Sequence, residues 1–286
     1  AGRYTKAKMI CITGSNGKTI VKEWLAQLLA PHKRVTRSPR SYNSQVGVPL
    51  SVWQMDENTE IAIIEAGISR MGEMKRLKHI ICPTIGVLTN IGGAHQENFV
   101  SEVDKCMEKL ELCRDCDVII YNGDDEQICQ AVECSLQRAR EIAWSRRDTD
   151  KPLFISSIAK DDSSTTITYV YLGLTGQYTI PFTDDASVEN SIHCLAVCLY
   201  LMVPMEAIAQ RMALLEPVAM RLEVKEGKNG CTLINDSYNS DLASLDIALD
   251  FMARRPEREG RQRVLILSDL LQTGKSSRSL YRKVAT

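Results

Sequence analysis

Aromatic side chains are scarce in this 286-residue sequence, at 6% of the total. That is too few for the stacking platforms that hold single-stranded nucleic acid. An excess of one charge is missing as well: 35 Lys and Arg stand against 36 Asp and Glu, a net charge of −1. No global field draws the chain to nucleic acid or an anionic membrane, so only a local basic patch is left to consider. No apolar run approaches the ~20 residues of a membrane span. The longest, Leu195 to Val203, has the length of a core helix. The opening residues, Ala1 to Lys6, lack the apolar stretch of a secretory signal. They also begin without Met, which points to a processed product or a fragment. Cysteine is plentiful, at ten, but the cysteines are scattered and a chain of this length buries a core without staples. They read as free thiols in a reducing cytoplasm.

What remains is the make-up of an ordinary soluble globular chain, 44% hydrophobic and 25% charged. Its length suits about two domains. Buried strands are expected at Lys8–Thr13, Glu60–Ala66, Thr84–Thr89 and Asp117–Tyr121. Helices are expected after Thr19, over Val46–Met55, Gly72–Ile81 and Ser101–Arg114. Strands alternating with helices predict a mostly parallel sheet. From Leu153 to Ile180 short Thr-rich segments predict a small antiparallel part. Helices Val188–Met202 and Met205–Leu214 follow, parted by Pro204. At Glu216-Pro217 the chain starts again, with a hairpin turning at Asn229-Gly230. A helix over Asp241–Met252, a strand over Arg263–Ser268 and a last helix near Ser276 complete the expectation. The fold class is α/β: a phosphate-loop (P-loop) ATPase domain over residues 1–215, then an incomplete Rossmann-like α/β domain over 216–286.

The strongest local signal is Thr13-Gly14-Ser15-Asn16-Gly17-Lys18-Thr19, set between a strand and a helix. Glycines let backbone N–H groups face a phosphate, and the helix start adds a positive dipole end. Lys18 would reach the β- and γ-phosphates, and the Thr19 hydroxyl would ligate Mg²⁺. The loop is a variant, because the full G-x-x-x-x-G-K-T pattern needs Gly where Ile12 stands. Glu65 ends an apolar strand, the place from which parallel sheets deliver residues to a ligand crevice. It reads as a Mg²⁺ ligand beside Thr19 or as a solvated strand-end carboxylate. His95 follows the third strand and reads as a second ligand or a structural loop histidine. By spacing alone Lys109 is a solvated helix lysine, off the stripe of Val103, Met107 and Leu110. Cys113-x-x-Cys116 has no second pair or matching His, so its spacing does not make a metal or redox site. The basic run Lys33 to Arg40 reads as a solvated loop within reach of an anionic substrate.

Together these features resemble the Mur ligases, the ATP-dependent amide ligases of peptidoglycan precursor synthesis. The matching stretches are ITGSNGKT (12–19), NSQVGVPL (43–50), AIIEAG (62–67), LTNIGGAHQENF (88–99) and EKLEL (108–112). ENSIHCLAV (189–197), INDSYNS (234–240) and LSDLLQTG (267–274) continue the match over nearly the whole chain. GVPL together with GSNGKT favours the branch that adds D-Ala-D-Ala to a UDP-MurNAc-tripeptide, its two substrates, through an acyl phosphate. The resemblance implies ATP held by Gly14, Ser15, Asn16, Gly17, Lys18 and Thr19, with Asn190 near the adenine and Arg221 and Asp236 contacting the nucleotide. It implies two Mg²⁺ ions on Thr19, Glu65, His95 and Lys109, the lysine carbamylated to become an oxygen ligand, with Lys18, His95 and Lys109 serving catalysis. Tyr238 and Asn239 match less closely. Relatives carry a UDP-sugar domain ahead of this region and a fuller third domain after it; without them the chain is expected to bind ATP but lack activity. The sequence departs from the family at Ile20, usually a second Thr, and at 239–242, where Asn-x-Asn-Pro is common. Two other readings stand beside this one: a folylpolyglutamate synthase-like ligase, and a P-loop nucleotide switch that does not ligate.

Overall fold

The computed structural model describes residues 6–92, 99, 101–135, 139–238, 242–253 and 262–268. Its centre is β1 (Lys8–Thr13), buried from Met9 onward. A parallel strand covered on both faces has no solvent side, which is why this one is an unbroken apolar run. β2 (Val35–Arg37), β3 (Ile61–Glu65), β4 (Ile85–Leu88), β5 (Val118–Asn122), β6 (Arg140–Ser145), β7 (Leu153–Lys160), β8 (Thr165–Tyr171) and β9 (Leu174–Ile180) join it. The nine strands run in the order β2-β3-β1-β4-β5-β6-β7-β8-β9. Pairing is parallel from β2 to β7 and antiparallel from β7 to β9. The register pairs Ile12 with Glu65 and Thr13 with Leu88, so the carboxyl ends of β1, β3 and β4 form one rim.

Strand side chains alternate between faces, and each face has its own core. Ile10, Ile12, Ile63 and Val87 pack with α1 (Lys18–Leu29) and α6 (Asp185–Tyr200). Cys11, Ala62, Ile64 and Leu88 pack with α3 (Glu73–Ile81), α4 (Glu102–Glu111) and α5 (Glu126–Ser135). α2 (Gly47–Trp53) lies between β2 and β3 in sequence, and α7 (Met205–Met212) follows α6 after Pro204. β10 (Glu223–Glu226) and β11 (Thr232–Asn235) form a separate antiparallel hairpin, followed by α8 (Leu242–Ala253). The hairpin turns where Asn229 and Gly230 both take positive φ, 58° and 67°. That pair of left-handed residues matches the right-handed twist of a hairpin.

The structure corrects the sequence reading in four places. The basic segment is not all loop, since Val35–Arg37 forms the edge strand β2. Its charges are largely matched, Lys33 with Glu60 at 3.2 Å and Arg37 with Glu23 at 2.8 Å. α5 and β6 fill a stretch in which no element was expected. On α4 the expected apolar stripe fails: Val103 is 48% and Met107 38% exposed, while Lys105 and Lys109 are buried. Residues 263–268 form no strand, and Ile266 is 90% exposed, because an extended segment needs a ladder partner and none pairs with it among the described residues. The helix expected near Ser276 lies outside the described residues.

Trp24 secures the point where the chain leaves the large sheet. It is buried on α1, stacks on Phe182 with ring centroids 5.0 Å apart, and donates from Nε1 to the Glu216 carbonyl at 3.0 Å. Trp24→Ala is expected to cost about 3–5 kcal/mol. Trp24→Phe, which keeps most of the packing, should cost about 1 kcal/mol through the lost hydrogen bond. Urea denaturation of both variants checks this; equal costs would show that ring packing is not the cause.

Candidate active site

Gly14 opens the turn from β1 into α1 with φ of 140°, and a β-carbon there would stand 2.0 Å from Thr89 Oγ1. Gly17, at φ 80°, brings the backbone against the Asn190 amide, 2.2 Å from where a β-carbon would be. Only glycine meets both demands. β4 supports the same turn. Asn90 accepts from the Ser15 N–H on its carbonyl and from the Asn16 N–H on Oδ1, each at 2.9 Å. The Thr89 hydroxyl donates to the Asn16 carbonyl at 2.6 Å.

Three lysines converge beneath this loop. Lys18 Nζ donates to the carbonyls of Gly14 at 3.0 Å and Ser15 at 2.8 Å. Lys109 Nζ, on α4, donates to the same Gly14 carbonyl at 2.8 Å. Lys105, one helical turn earlier, donates to the Gly92 carbonyl. Burial first, and then the ammonium groups of Lys18 and Lys105, hold the Lys109 amine well below the usual lysine range. The solvated-helix reading of Lys109 is therefore overturned: it is 3% exposed, because α4 turns its lysines toward the polar loop and not toward water. Lys105 went unassigned in the sequence, although its four-residue spacing from Lys109 puts both on one helix face.

Glu65 projects from the end of β3 into the same place. Its Oε2 accepts from the Thr19 hydroxyl at 3.0 Å and its Oε1 from the Asn43 amide at 2.7 Å. The solvated-carboxylate reading falls too, since Glu65 is buried. Ser41 Oγ lies 3.1 Å from Thr19 Oγ1. Asn43 and Ser41 were missed as site residues; the only signal was that Asn43 opens the 43–50 stretch. Gly14–Thr19, Asn43, Glu65, Lys109 and Arg221 line one cavity of about 470 Å³, within the usual size of a small-molecule site. Arg221 reaches it from the loop before β10, 3.5 Å from Thr19 Oγ1, its guanidinium 4.1 Å from the centre of the Tyr238 ring. Asn190 and Asp236 are not in that lining. Asn190 sits behind Gly17, and Asp236 accepts from the Leu222 N–H at 3.1 Å at the hairpin base. His95 and Asn239 lie outside the described residues.

Residues 12–198 match the family model of the Mur ligase middle domain. The chain is 29% identical over 279 residues to the UDP-N-acetylmuramoyl-tripeptide–D-alanyl-D-alanine ligase of Bacillus subtilis, covering 96% of this chain and 59% of that protein. It spans little more than half the length of that curated relative. Among solved structures it superposes on MurF from Acinetobacter baumannii with a TM-score of 0.88 at 22% identity, covering 99% of this chain and 61% of that one. MurF from Thermotoga maritima, solved in complex with ADP, gives a TM-score of 0.77 at 23% identity, covering 89% and 58%. At these identities the two structures show a shared fold.

Behind the loop stands a buried histidine that sequence spacing passed over. His193 Nδ1 accepts from Trp144 Nε1 at 3.2 Å, and Nε2 donates to the Thr89 carbonyl at 3.0 Å. The ring is neutral, and burial pushes its pKa down to about 4. The unfolded chain protonates it near 6.5. Stability present above pH 6.5 is therefore lost as pH falls toward 4, by about 3 kcal/mol in full. His193→Gln should remove that component. Urea unfolding of both proteins between pH 7 and 4.5 measures it, and the same pH dependence in each would exclude His193 as its source.

Proposed function

The chain belongs to the Mur ligase family, and from that premise we propose that it is the nucleotide-using part of an ATP-dependent ligase that joins D-Ala-D-Ala to a UDP-MurNAc-tripeptide. On this reading residues 1–215 are the ATP-binding domain and 216–286 begin the domain for the incoming amine. The ligase serves peptidoglycan precursor synthesis in the cytoplasm. The observation that carries the proposal is the single cavity shared by Lys18, Thr19, Glu65 and Lys109.

The residues present fit a nucleotide and its cations. With the Ser15 and Asn16 N–H groups held by Asn90, Gly17 and the first turn of α1 are what offer backbone N–H groups to phosphate oxygens. Lys18 supplies the cation for the transferred phosphoryl group. Asn190 serves the adenine side from behind Gly17, and Arg221 and Asp236 approach the nucleotide from the third domain. Thr19 and Glu65 are hard oxygen donors for one Mg²⁺, and Lys109 with His95 would serve a second. Bound there, the two ions would spread positive charge over the phosphate oxygens. A lysine can join such a shell only as an oxygen donor. The lowered pKa of Lys109 favours the amine with its lone pair free, which would attack carbon dioxide, lose one proton and give a carbamate.

In the reaction the terminal carboxylate of the tripeptide attacks the γ-phosphorus and ADP leaves. The amine of D-Ala-D-Ala then attacks the acyl phosphate and inorganic phosphate leaves. Both attacks bring anionic centres together, so positioning and electrostatic stabilisation carry the rate.

Lys18→Ala is expected to weaken binding of a non-hydrolysable ATP analogue with Mg²⁺ about 10- to 100-fold, the ~1.5–3 kcal/mol of a charge-assisted hydrogen bond, while circular dichroism stays unchanged. Calorimetry measures it, and undiminished binding would refute the nucleotide assignment. Where phosphate release driven by the muramoyl tripeptide and D-Ala-D-Ala is seen, Lys109→Ala should abolish it and short carboxylic acids should restore it. Release driven by folate and glutamate in its place would move the chain to another ligase.

A further inference from the structure

All ten cysteines are free, and they fall into two kinds. Cys82, Cys134 and Cys231 are exposed and Cys129 is half-buried; the others are buried. Three of the buried ones meet. Cys11 lies in β1 and faces the core shared with α3 and α4. Cys113 and Cys116 lie in the turn from α4 to β5, which closes with Cys113 N–H on the Leu110 carbonyl at 2.8 Å and Cys116 N–H on the Cys113 carbonyl at 3.0 Å. All three Sγ atoms lie within 4.8 Å of one another. Gly86 of β4 leaves them room: a β-carbon there would be 2.6 Å from Cys113 Sγ and 3.4 Å from Cys116 Sγ.

We propose that Cys11, Cys113 and Cys116 form a binding site for a soft closed-shell cation, with Cu(I) as its preferred occupant. Three thiolates are a soft donor set, the kind that selects Cu(I) over hard cations. A structural zinc site needs a fourth ligand. Among the described residues no further His, Cys, Asp or Glu joins this cluster, and Cys11 and Cys113 are wholly buried, which closes the sides from which water would complete a zinc shell. A metal–sulfur bond of about 2.3 Å sets trigonal sulfurs about 4.0 Å apart. The three sulfurs lie within 4.8 Å of one another, a bound that admits this spacing. The ion enters as a monovalent cation with no change of oxidation state, and each thiol that binds as thiolate releases one proton to solvent. Cys11 is two residues from the end of β1 and the phosphate loop, and Cys113 is four residues past Lys109, so a bound ion ties together the two pieces of chain that meet at Gly14.

The test uses the full chain with Cys82, Cys129, Cys134 and Cys231 replaced by serine, kept reduced without oxygen. Titrated against the Cu(I)–bicinchoninate complex, it should withdraw one equivalent. X-ray absorption should then give three sulfur neighbours at about 2.3 Å. Cys11→Ser or Cys113→Ser in that background should weaken uptake at least about 100-fold, whereas Cys194→Ser, in α6, should not. Failure to withdraw copper, uptake unchanged in Cys11→Ser, or nitrogen or oxygen ligands in the absorption spectrum would each overturn the proposal. Zinc taken from a chelator as tightly as Cu(I) would overturn the trigonal assignment. Absorption on the otherwise unmodified copper-loaded chain decides the ligand set if a serine variant does not fold.

Discussion

Two lysines share one acceptor, the carbonyl oxygen of Gly14, and the rest of the site is arranged around that contact. Lys18 comes from the helix that follows the loop; Lys109 comes from a helix 95 residues along the chain. Ammonium groups held this close oppose one another, and at Lys109 burial adds to that opposition. Lys109 is enclosed by α4 and the sheet, so its amine is displaced toward neutrality. A lysine whose pKa is lowered beside a phosphate loop loses its proton more readily than an exposed lysine would.

The opposing carboxylate is held as firmly. Glu65 is fixed on one oxygen by Thr19 and on the other by Asn43. Asn43 reaches it because the segment after β2 turns back across the rim. That return is anchored underneath by Lys22, wholly buried in α1, whose ammonium donates to the carbonyls of Ser38 and Arg40 and pairs with Glu23 at 3.0 Å. On the other flank, Trp144, His193 and Thr89 connect β6 and α6 to the Asn16 carbonyl. Groups held in place before a ligand arrives need no reorganisation when charge develops, which is the main electrostatic advantage of a folded site.

The strands that bear the site were legible because they are apolar runs leading to chemistry-bearing residues: β1 to the phosphate loop, β3 to Glu65, and β4 to Thr89-Asn90 just past its end. β2 was not legible, since three residues are too short for a periodic signal. α4 was read as a helix but on the wrong face. The helix turns Lys105 and Lys109 inward and leaves Val103 and Met107 half-exposed, a pattern that no rule of apolar faces inward can foresee where a helix borders a polar cavity. Family resemblance singled out Lys109, and spacing did not. Asn43 and Lys105 carried only the faint signals of a matching stretch and a helical spacing, and the spacing of His193 carried none, because their roles exist only toward partners brought in from other elements.

By itself the sequence determined the loop and its glycines, the parallel α/β core, and the order in which the elements follow. Those depend on short-range effects: the φ angles open to Gly14 and Gly17, the burial of apolar runs, and the handedness of strand–helix–strand crossovers. Tertiary structure alone decided that Lys109 is buried against Gly14, that Asn43 holds Glu65, and that Cys11 meets Cys113 and Cys116. Each of these joins residues far apart in the chain, and their meeting is set by sheet order and register, which no local pattern encodes.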